Sequence, residues 1–433
     1  MFARRIAVIG TGYVGLTTGA CLASLGHHVV CADIDEAKVA RLNAGQIDIL
    51  EPGLPELVAE GVAAGRLEFV LGARNAITQP DQPPVEVVFL CVPTPMGEGG
   101  AADLAAVQAV ANEVRHLLPT NCVIVNKSTV PVGTAETTRK MIGRRDVAVV
   151  SNPEFLREGS AVHDFLHPDR IVVGSDSQEA AERVAALYSR LGAPTQLTDA
   201  ASAEMVKYAA NCFLAMKLSY VNALSDLCER LGADVVEVTE GMGYDRRIGA
   251  NFLSPGPGWG GSCFPKDTHA LLEIAKAAGM DFELVAASLS TNATTRARVV
   301  DKVRDAAGGS LSGKRIGLLG LTFKAGTDDL RDSPSLAVAE LLRAEGAELY
   351  GYDPACPVDV PATAGITVVD EPLDMAKDAA ALVVLTEWPQ FRALDWTALA
   401  GVVEAPVVID TRNLLDPDVL RRAGFAWIGL GRS

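Results

Sequence analysis

The stretch Arg5–Gly15, RIAVIGTGYVG, decides how the N-terminal part of the chain folds. Its first half, Arg5–Gly10, is a short apolar run that reads as a buried strand. Gly10, Gly12 and Gly15 follow in the spacing G-x-G-x-x-G, and a helical pattern continues to Leu25 and stops at Gly26. A second strand, His28–Ala32, ends at Asp33. Strand, glycine turn, helix and a strand closed by an acid make up one half of a dinucleotide-binding unit. Gly10 permits the tight turn, Gly12 lets the backbone approach a pyrophosphate, and Gly15 lets helix and strand pack closely. The helix N-terminus then faces the phosphates. Asp33 stands 18 residues after Gly15, where its carboxylate accepts from both ribose hydroxyls and repels a 2'-phosphate. The expected cofactor is NAD rather than NADP, with Lys38, at the start of the next helix, lying over the adenosine ribose.

Downstream, Val85–Val92 is a continuous apolar strand ending in Pro93-Thr94-Pro95, and ligands lie at such carboxyl ends. A helix over Leu104–Leu118 and a strand over Cys122–Asn126 lead to KSTVPVGT at 127–134, whose Thr129 is placed to meet the nicotinamide or the phosphates. The strand Asp146–Val150 runs into SNPEFLREGSA at 151–161. Glu154 and Glu158 are four apart, which on a helical turn puts both carboxylates on one side. The strand Arg170–Gly174 and the helix Glu179–Leu191 close this part near residue 198.

From Ser202 to Leu231 there is neither Gly nor Pro, which predicts one long helix. Lys207 and Asn211 lie one turn apart on it among apolar residues, where they are costly to bury unless paired or used. The helix is expected to join two nucleotide-binding ends and to carry a dimer contact. Then comes FLSPGPGWGGSCFPKD at 252–267, a loop whose backbone comes close to something and which presents Cys263. A cation such as Lys266 favours the thiolate form of a neighbouring cysteine. A helical stretch over Thr268–Ala307 is broken only by Gly279. At Ser312 a new α/β unit repeats the N-terminal layout without G-x-G-x-x-G: a glycine loop, a helix over 335–345, and Glu348–Tyr352 closed by Asp353. Strands Ala381–Leu385 and Pro406–Asp410 extend it, and Lys324 and Arg331 sit in its loop as candidate diphosphate ligands. The expected fold is α/β: two Rossmann-like doubly wound domains, 1–198 and 309–433, joined by a central helical domain, 199–308, with a long connecting helix.

Composition narrows the function classes. With 38 Lys plus Arg against 54 Asp plus Glu, the net charge is -16, which argues against a nucleic-acid groove but not against a dinucleotide or nucleotide-sugar. The eight cysteines include no C-x-x-C pair, and most sit in apolar runs as reduced core thiols do. No metal site is expected. No run of 18 apolar residues occurs, so no membrane span is expected and the protein reads as cytoplasmic.

These segments together resemble the UDP-glucose 6-dehydrogenase family, within the wider group of nucleotide-sugar dehydrogenases. The resemblance runs through GTGYVG at 10, VPTP at 92, STVPVGT at 128, NPEFLREGSA at 152 and PDRIVVG at 168. It continues through KYAAN at 207, GGSCFPKD at 260 and GLTFKAGTDDLRDSP at 320. It implies two successive NAD-dependent oxidations at C6 of UDP-glucose, giving UDP-glucuronate through a thiohemiacetal and a thioester on Cys263. It further implies Glu154 as the base for the hydrolytic water and Lys207 and Asn211 as stabilisers of developing oxyanions. Asp267 with a bound water is the base of the first oxidation, a duty Lys207 could share, and Thr129 belongs to the same centre. Glu154, Phe155, Leu156, Lys207 and Asn211 are implied to hold substrate, with Phe252, Leu253, Ser254, Pro255, Gly256 and Gly260 cradling the nucleotide-sugar. Lys324 binds it from the C-terminal domain, and Arg247 reaches it from the other protomer of a homodimer. For the cofactor the resemblance adds Val14, Thr94, Glu158, Lys266 and Arg331 to Gly10, Gly12, Gly15, Asp33, Lys38 and Thr129. Cys212 departs from the family, which often has Ala there, and reads as core packing. Three other readings stay open: the same oxidation of GDP-mannose or a UDP-N-acetyl-hexosamine, a one-step hydroxyacid dehydrogenase, and a non-enzymatic NAD-binding protein.

Overall fold

β1 (Arg5–Ile9) is buried at every position and shows why the sheet has helices on both sides. Ile6 and Val8 enter one apolar cluster while Ala7 and Ile9 enter another, so successive side chains serve opposite faces. The computed structural model describes residues 3–80, 82–356 and 360–432. The chain divides into two compact units, Met1–Ala210 with His269–Ala278, and Asn211–Thr268 with Gly279–Ser433.

The first unit adds β2 (His28–Asp33), β3 (Leu67–Leu71), β4 (Val87–Leu90), β5 (Val123–Asn126), β6 (Ala148–Ser151), β7 (Ile171–Gly174) and β8 (Thr195–Thr198). They form one sheet in the order β3-β2-β1-β4-β5-β6-β7-β8. All neighbours are parallel except β6 and β7, which meet antiparallel at Ser151 and Gly174. The second unit holds β9 (Arg315–Leu319), β10 (Glu348–Tyr352), β11 (Ile366–Val368), β12 (Ala381–Val384), β13 (Val407–Asp410) and β14 (Ala426–Gly429). Their order is β11-β10-β9-β12-β13-β14, all parallel. Both sheets therefore reverse order beside their first strand, the place where doubly wound sheets bind ligands.

The two units repeat each other in detail at that point. Gly10 and Gly320 both take a left-handed φ, +96° and +95°. The Gly10 amide bonds the Ala32 carbonyl, as the Gly320 amide bonds that of Tyr352. In sequence the sheets are separated by helices Ala200–Leu231, Val235–Gly243, Phe264–Ala277 and Glu283–Ala306. The doubly wound architecture with a helical centre is thus present as the sequence implies.

Some expectations change. Glu154 and Glu158 do not share a helical turn, because residues 152–160 are irregular and helix begins only at Ala161. Pro153 offers no amide, and the Leu156 amide is taken by the Glu154 carboxylate at 2.7 Å, a local bond that competes with helix. The stretch Thr268–Ala307 is interrupted around Gly279 as expected, but its first helix starts four residues earlier, at Phe264. The strand Val85–Val92 contracts to Val87–Leu90. β3, β8, β11 and β14 were not legible: all are short, partly exposed edge strands, and β3, β8 and β11 carry no unbroken apolar run.

Candidate active site

The glycine turn of the first unit leads into the helix Tyr13–Ser24, whose start has no side-chain cap. An ideal Cβ on Gly12 meets nothing within 4 Å, while one on Gly15 falls 1.9 Å from the Gly10 carbonyl oxygen. Gly15 is therefore a packing glycine, and Gly12 leaves open space before uncapped first-turn amides, which suits a pyrophosphate. Asp33 closes β2, its Oδ2 accepting from the Thr11 amide at 2.9 Å, the Thr11 hydroxyl at 2.6 Å and Lys38 Nζ at 3.3 Å. Burial opposes its charge, yet the Thr11 donors, the Asp35 amide and Lys38 bring its carboxyl down to about 2. These residues fit the diphosphate and ribose of NAD. Ile34, next in sequence and 88% exposed, offers an apolar flank there.

A second set gathers at the carboxyl ends of β5 and β6. Lys207 Nζ donates to Glu154 Oε1 at 2.7 Å, and both side chains are about 95% or more buried. Phe155 lies between the Arg170 guanidinium, 3.7 Å from its ring centre, and Lys207 Nζ at 5.5 Å. Burial penalises the Glu154 charge, but Lys207, the Leu156 amide and Lys127 hold its carboxyl below the ordinary range. Leu156 packs on the core, and Thr94 hydroxyl donates to the Thr129 carbonyl at 2.9 Å, fixing the loop that carries Thr129. Glu51, buried and unnoticed in the sequence, accepts from the Tyr13 hydroxyl and from the Gly159 amide at 2.7 Å. It thereby ties the segment bearing Glu158 to the glycine turn. Val14 packs against the core below that turn.

In the second unit Cys263 immediately precedes the helix Phe264–Ala277, and its carbonyl accepts from the Asp267 amide. The helix N-terminus stabilises an anionic sulfur. Asp267, fully buried, accepts from Asn211 Nδ2 at 2.6 Å and from Lys266 Nζ at 2.5 Å. The structure so brings together Cys263, Asp267, Lys266 and Asn211, and the one long helix carries Asn211 a turn after Lys207. Cys212 is buried, and burial pushes its thiol up to about 12, as expected for a core cysteine.

The glycines and prolines before Cys263 are explained by what the loop passes. The Trp259 amide donates to Asn292 Oδ1 at 2.8 Å, its carbonyl accepts from Asn292 Nδ2, and its indole donates to Ser219. The Gly256 amide donates to Asn222 Oδ1 at 2.9 Å. A Cβ on Gly258 falls 2.7 Å from Asn292 Oδ1, and one on Gly260 falls 2.0 Å from the Asp332 carbonyl oxygen. Leu253, Pro255 and Gly256 are buried, Ser254 is exposed, and Phe252 holds a left-handed φ of +61° against the Phe264 ring. Three further predicted residues have partners of their own. Arg247 is exposed and paired with Asp245, Arg331 is gripped by Asp329, and Lys324 lies beside the Phe323 ring.

No helix among the described residues is long and apolar enough to cross a membrane. Family models match three consecutive parts of the chain, all of the UDP-glucose/GDP-mannose dehydrogenase family. They are the NAD binding domain at 4–192, the central domain at 201–294 and the UDP binding domain at 317–417. The UDP-glucose 6-dehydrogenase of Rhizobium meliloti (strain 1021) is 45% identical over 439 residues, covering 99% of both chains. A UDP-glucose dehydrogenase structure from Pyrobaculum islandicum superposes with a TM-score of 0.90 at 36% identity, covering 100% of this chain and 98% of its own. A UDP-D-ManNAc dehydrogenase structure from Pyrococcus horikoshii gives 0.87 at 29% identity and covers 99% of both chains. With an NAD-type glycine turn on the first sheet, its topological repeat on the second, and full-length likeness in between, this chain belongs to the UDP-glucose/GDP-mannose dehydrogenase family.

Proposed function

We propose that this chain is a UDP-glucose 6-dehydrogenase, oxidising the C6 alcohol of UDP-glucose to the carboxylate of UDP-glucuronate in two steps. Gly12, the first-turn amides and Asp33 hold NAD, which when bound accepts the hydride of each oxidation. Asp267, through a water, takes the proton of the C6 hydroxyl as the first aldehyde forms. The Cys263 sulfur adds to that aldehyde to give a thiohemiacetal, whose oxidation leaves a thioester. Glu154 directs water onto the thioester carbon, the C–S bond breaks, and the thiol and the carboxylate are released. Lys207 and Asn211 donate to the oxygen that gains charge in each step. The balance is one alcohol, one water and two NAD+ giving one carboxylate, two NADH and three protons.

The observation that supports this reading best is Cys263 at a helix start, with Asp267 buried and bonded to Asn211, in a chain that also carries the NAD turn. A one-step dehydrogenase has no use for that thiol. UDP-glucose is preferred to UDP-N-acetyl-hexosamines or GDP-mannose by the higher likeness to UDP-glucose enzymes. The working unit is a homodimer, supported by Phe213, Tyr220 and Leu227, which recur every seventh residue along the long helix and are 57, 58 and 50% exposed. Arg247, exposed, is placed on that reading to reach the partner's substrate.

The test is NADH formed per UDP-glucose consumed, in wild type and Cys263→Ser, with GDP-mannose and UDP-N-acetylglucosamine alongside. Two NADH per UDP-glucose, lost in the variant, is the expected result. One NADH and an unimpaired variant overturn the thioester route, and turnover of only a competing sugar overturns the substrate.

A further inference from the structure

Lys127 is a buried charge to which the chemistry above gives no task. It follows β5, next to the carboxyl end of β6, and is 5% exposed. Its Nζ donates to Asn152 Oδ1 at 3.2 Å. The same oxygen accepts from the Tyr188 hydroxyl at 2.6 Å, and Asn152 Nδ2 donates to the Val172 carbonyl at 2.8 Å, so the acceptor is fixed by two further bonds. The Tyr188 ring centre lies 5.6 Å from the ammonium. No carboxylate of the described residues comes within ion-pair distance of Lys127, and the opposite charge that acts on it is Glu154. A buried ammonium without a close counter-ion is costly, and a methionine would fill the same space without that cost.

We propose that Lys127 is a positioning residue for the oxidation: its fixed, buried ammonium is a second counter-cation for Glu154. It keeps that carboxylate ionised when Lys207 turns its charge to the substrate oxygen. The proposal rests on the role given to Glu154 above. Lys207 cannot serve the Glu154 carboxylate and a developing oxyanion at full strength together, so a second cation is what the pair lacks. Burial, only partly offset by Glu154, brings the Lys127 ammonium down to about 8, so it is charged at neutral pH. The other groups facing it are Lys207, Cys91 and Tyr188. Burial pushes the Cys91 thiol up to about 12 and raises the Tyr188 phenol further, which leaves Glu154 and the two lysines as the charges of this pocket.

The test is the pH profile of kcat for the full-length enzyme with UDP-glucose and NAD, in wild type, Lys127→Met, Lys127→Arg and Glu154→Gln. In Lys127→Met the acidic limb moves up by about one pH unit, so kcat falls about tenfold on the acid side of that limb, while kcat at neutral pH and KM for UDP-glucose stay nearly unchanged. In Lys127→Arg the limb stays where it was. A Met variant with the wild-type profile, or Met and Arg variants equally slow with an unshifted limb, overturns the proposal. Glu154→Gln with wild-type activity would instead remove the role of Glu154, so the two failures are told apart. Should Lys127→Met not fold, Lys127→Gln, which keeps a donor for Asn152 but no charge, takes its place in the same profile: a raised acidic limb is expected, and an unshifted limb overturns the proposal.

Discussion

At the scale of single residues, charges in the first unit are arranged against what burial alone would choose. Burial brings the Lys127 ammonium down to about 8 from its ordinary 10.5, so keeping it charged costs the fold stability. That cost is present in full below pH 8 and disappears as pH rises toward 10.5, since the folded chain then binds fewer protons than the unfolded one. Asp33 has the opposite sign. Its folded value of about 2 lies under its ordinary 3.8, so its contribution is present above 3.8 and lost as pH falls through 2. On the proposal that its carboxylate holds the cofactor ribose, Asp33→Asn is expected to raise KM for NAD about tenfold or more with a smaller effect on kcat. It should also flatten the acid limb of stability. Steady-state kinetics and melting curves between pH 2 and pH 5 check both, and an unchanged KM for NAD removes Asp33 from the cofactor site.

At the scale of elements, the loop before Cys263 is held by side chains from the long helix and from Glu283–Ala306 rather than by its own turns. Its glycines are required where the loop passes backbone or side chain too closely for a Cβ. Gly260→Ala would put a methyl 2.0 Å from the Asp332 carbonyl oxygen, so the loop must shift and carry Cys263 with it. A displacement of about 1 Å at a nucleophile lowers the rate by about 100-fold. The expected outcome is that loss in kcat while NAD affinity, read by fluorescence titration, stays at the wild-type value, because the glycine turn belongs to the other unit. Equal loss of both would mean that the loop also shapes the cofactor site.

At the scale of the whole molecule, the two sheets use one topology for different ends. In the second unit Asp353 accepts from the Leu321 and Thr322 amides, the Thr322 hydroxyl and the Trp388 indole, and is buried, so its carboxylate braces its own glycine turn. Asp33 performs that brace for the first unit while remaining partly exposed. The homodimer proposed above would use the stripe of Phe213, Tyr220 and Leu227. Tyr220→Glu places a charge in the middle of that stripe, and a buried unpaired charge at an interface is strongly unfavourable. Sedimentation velocity is expected to show a dimer for wild type and a monomer for the variant. A variant that remains dimeric moves the interface away from this face.

The sequence by itself determined what local rules control. The apolar strands, the glycine turn, the acid at the end of β2, the Gly- and Pro-free helix and the loop presenting Cys263 all follow from spacing and backbone preference. The resemblance then pointed to Lys207, Glu154, Asn211 and Asp267. Tertiary structure decided the partners. Glu154 and Lys207 are 53 residues apart, and nothing in either segment foretells that they share a bond of 2.7 Å. Lys127 read as one polar residue in a loop, because burial is a property of what packs around a side chain. Asn292 and Glu51 were invisible for the same reason, being ordinary in their own segments and acting on distant ones. The edge strands β3, β8, β11 and β14 exist because a neighbouring strand offers them hydrogen bonds, a cause that lies outside their own residues.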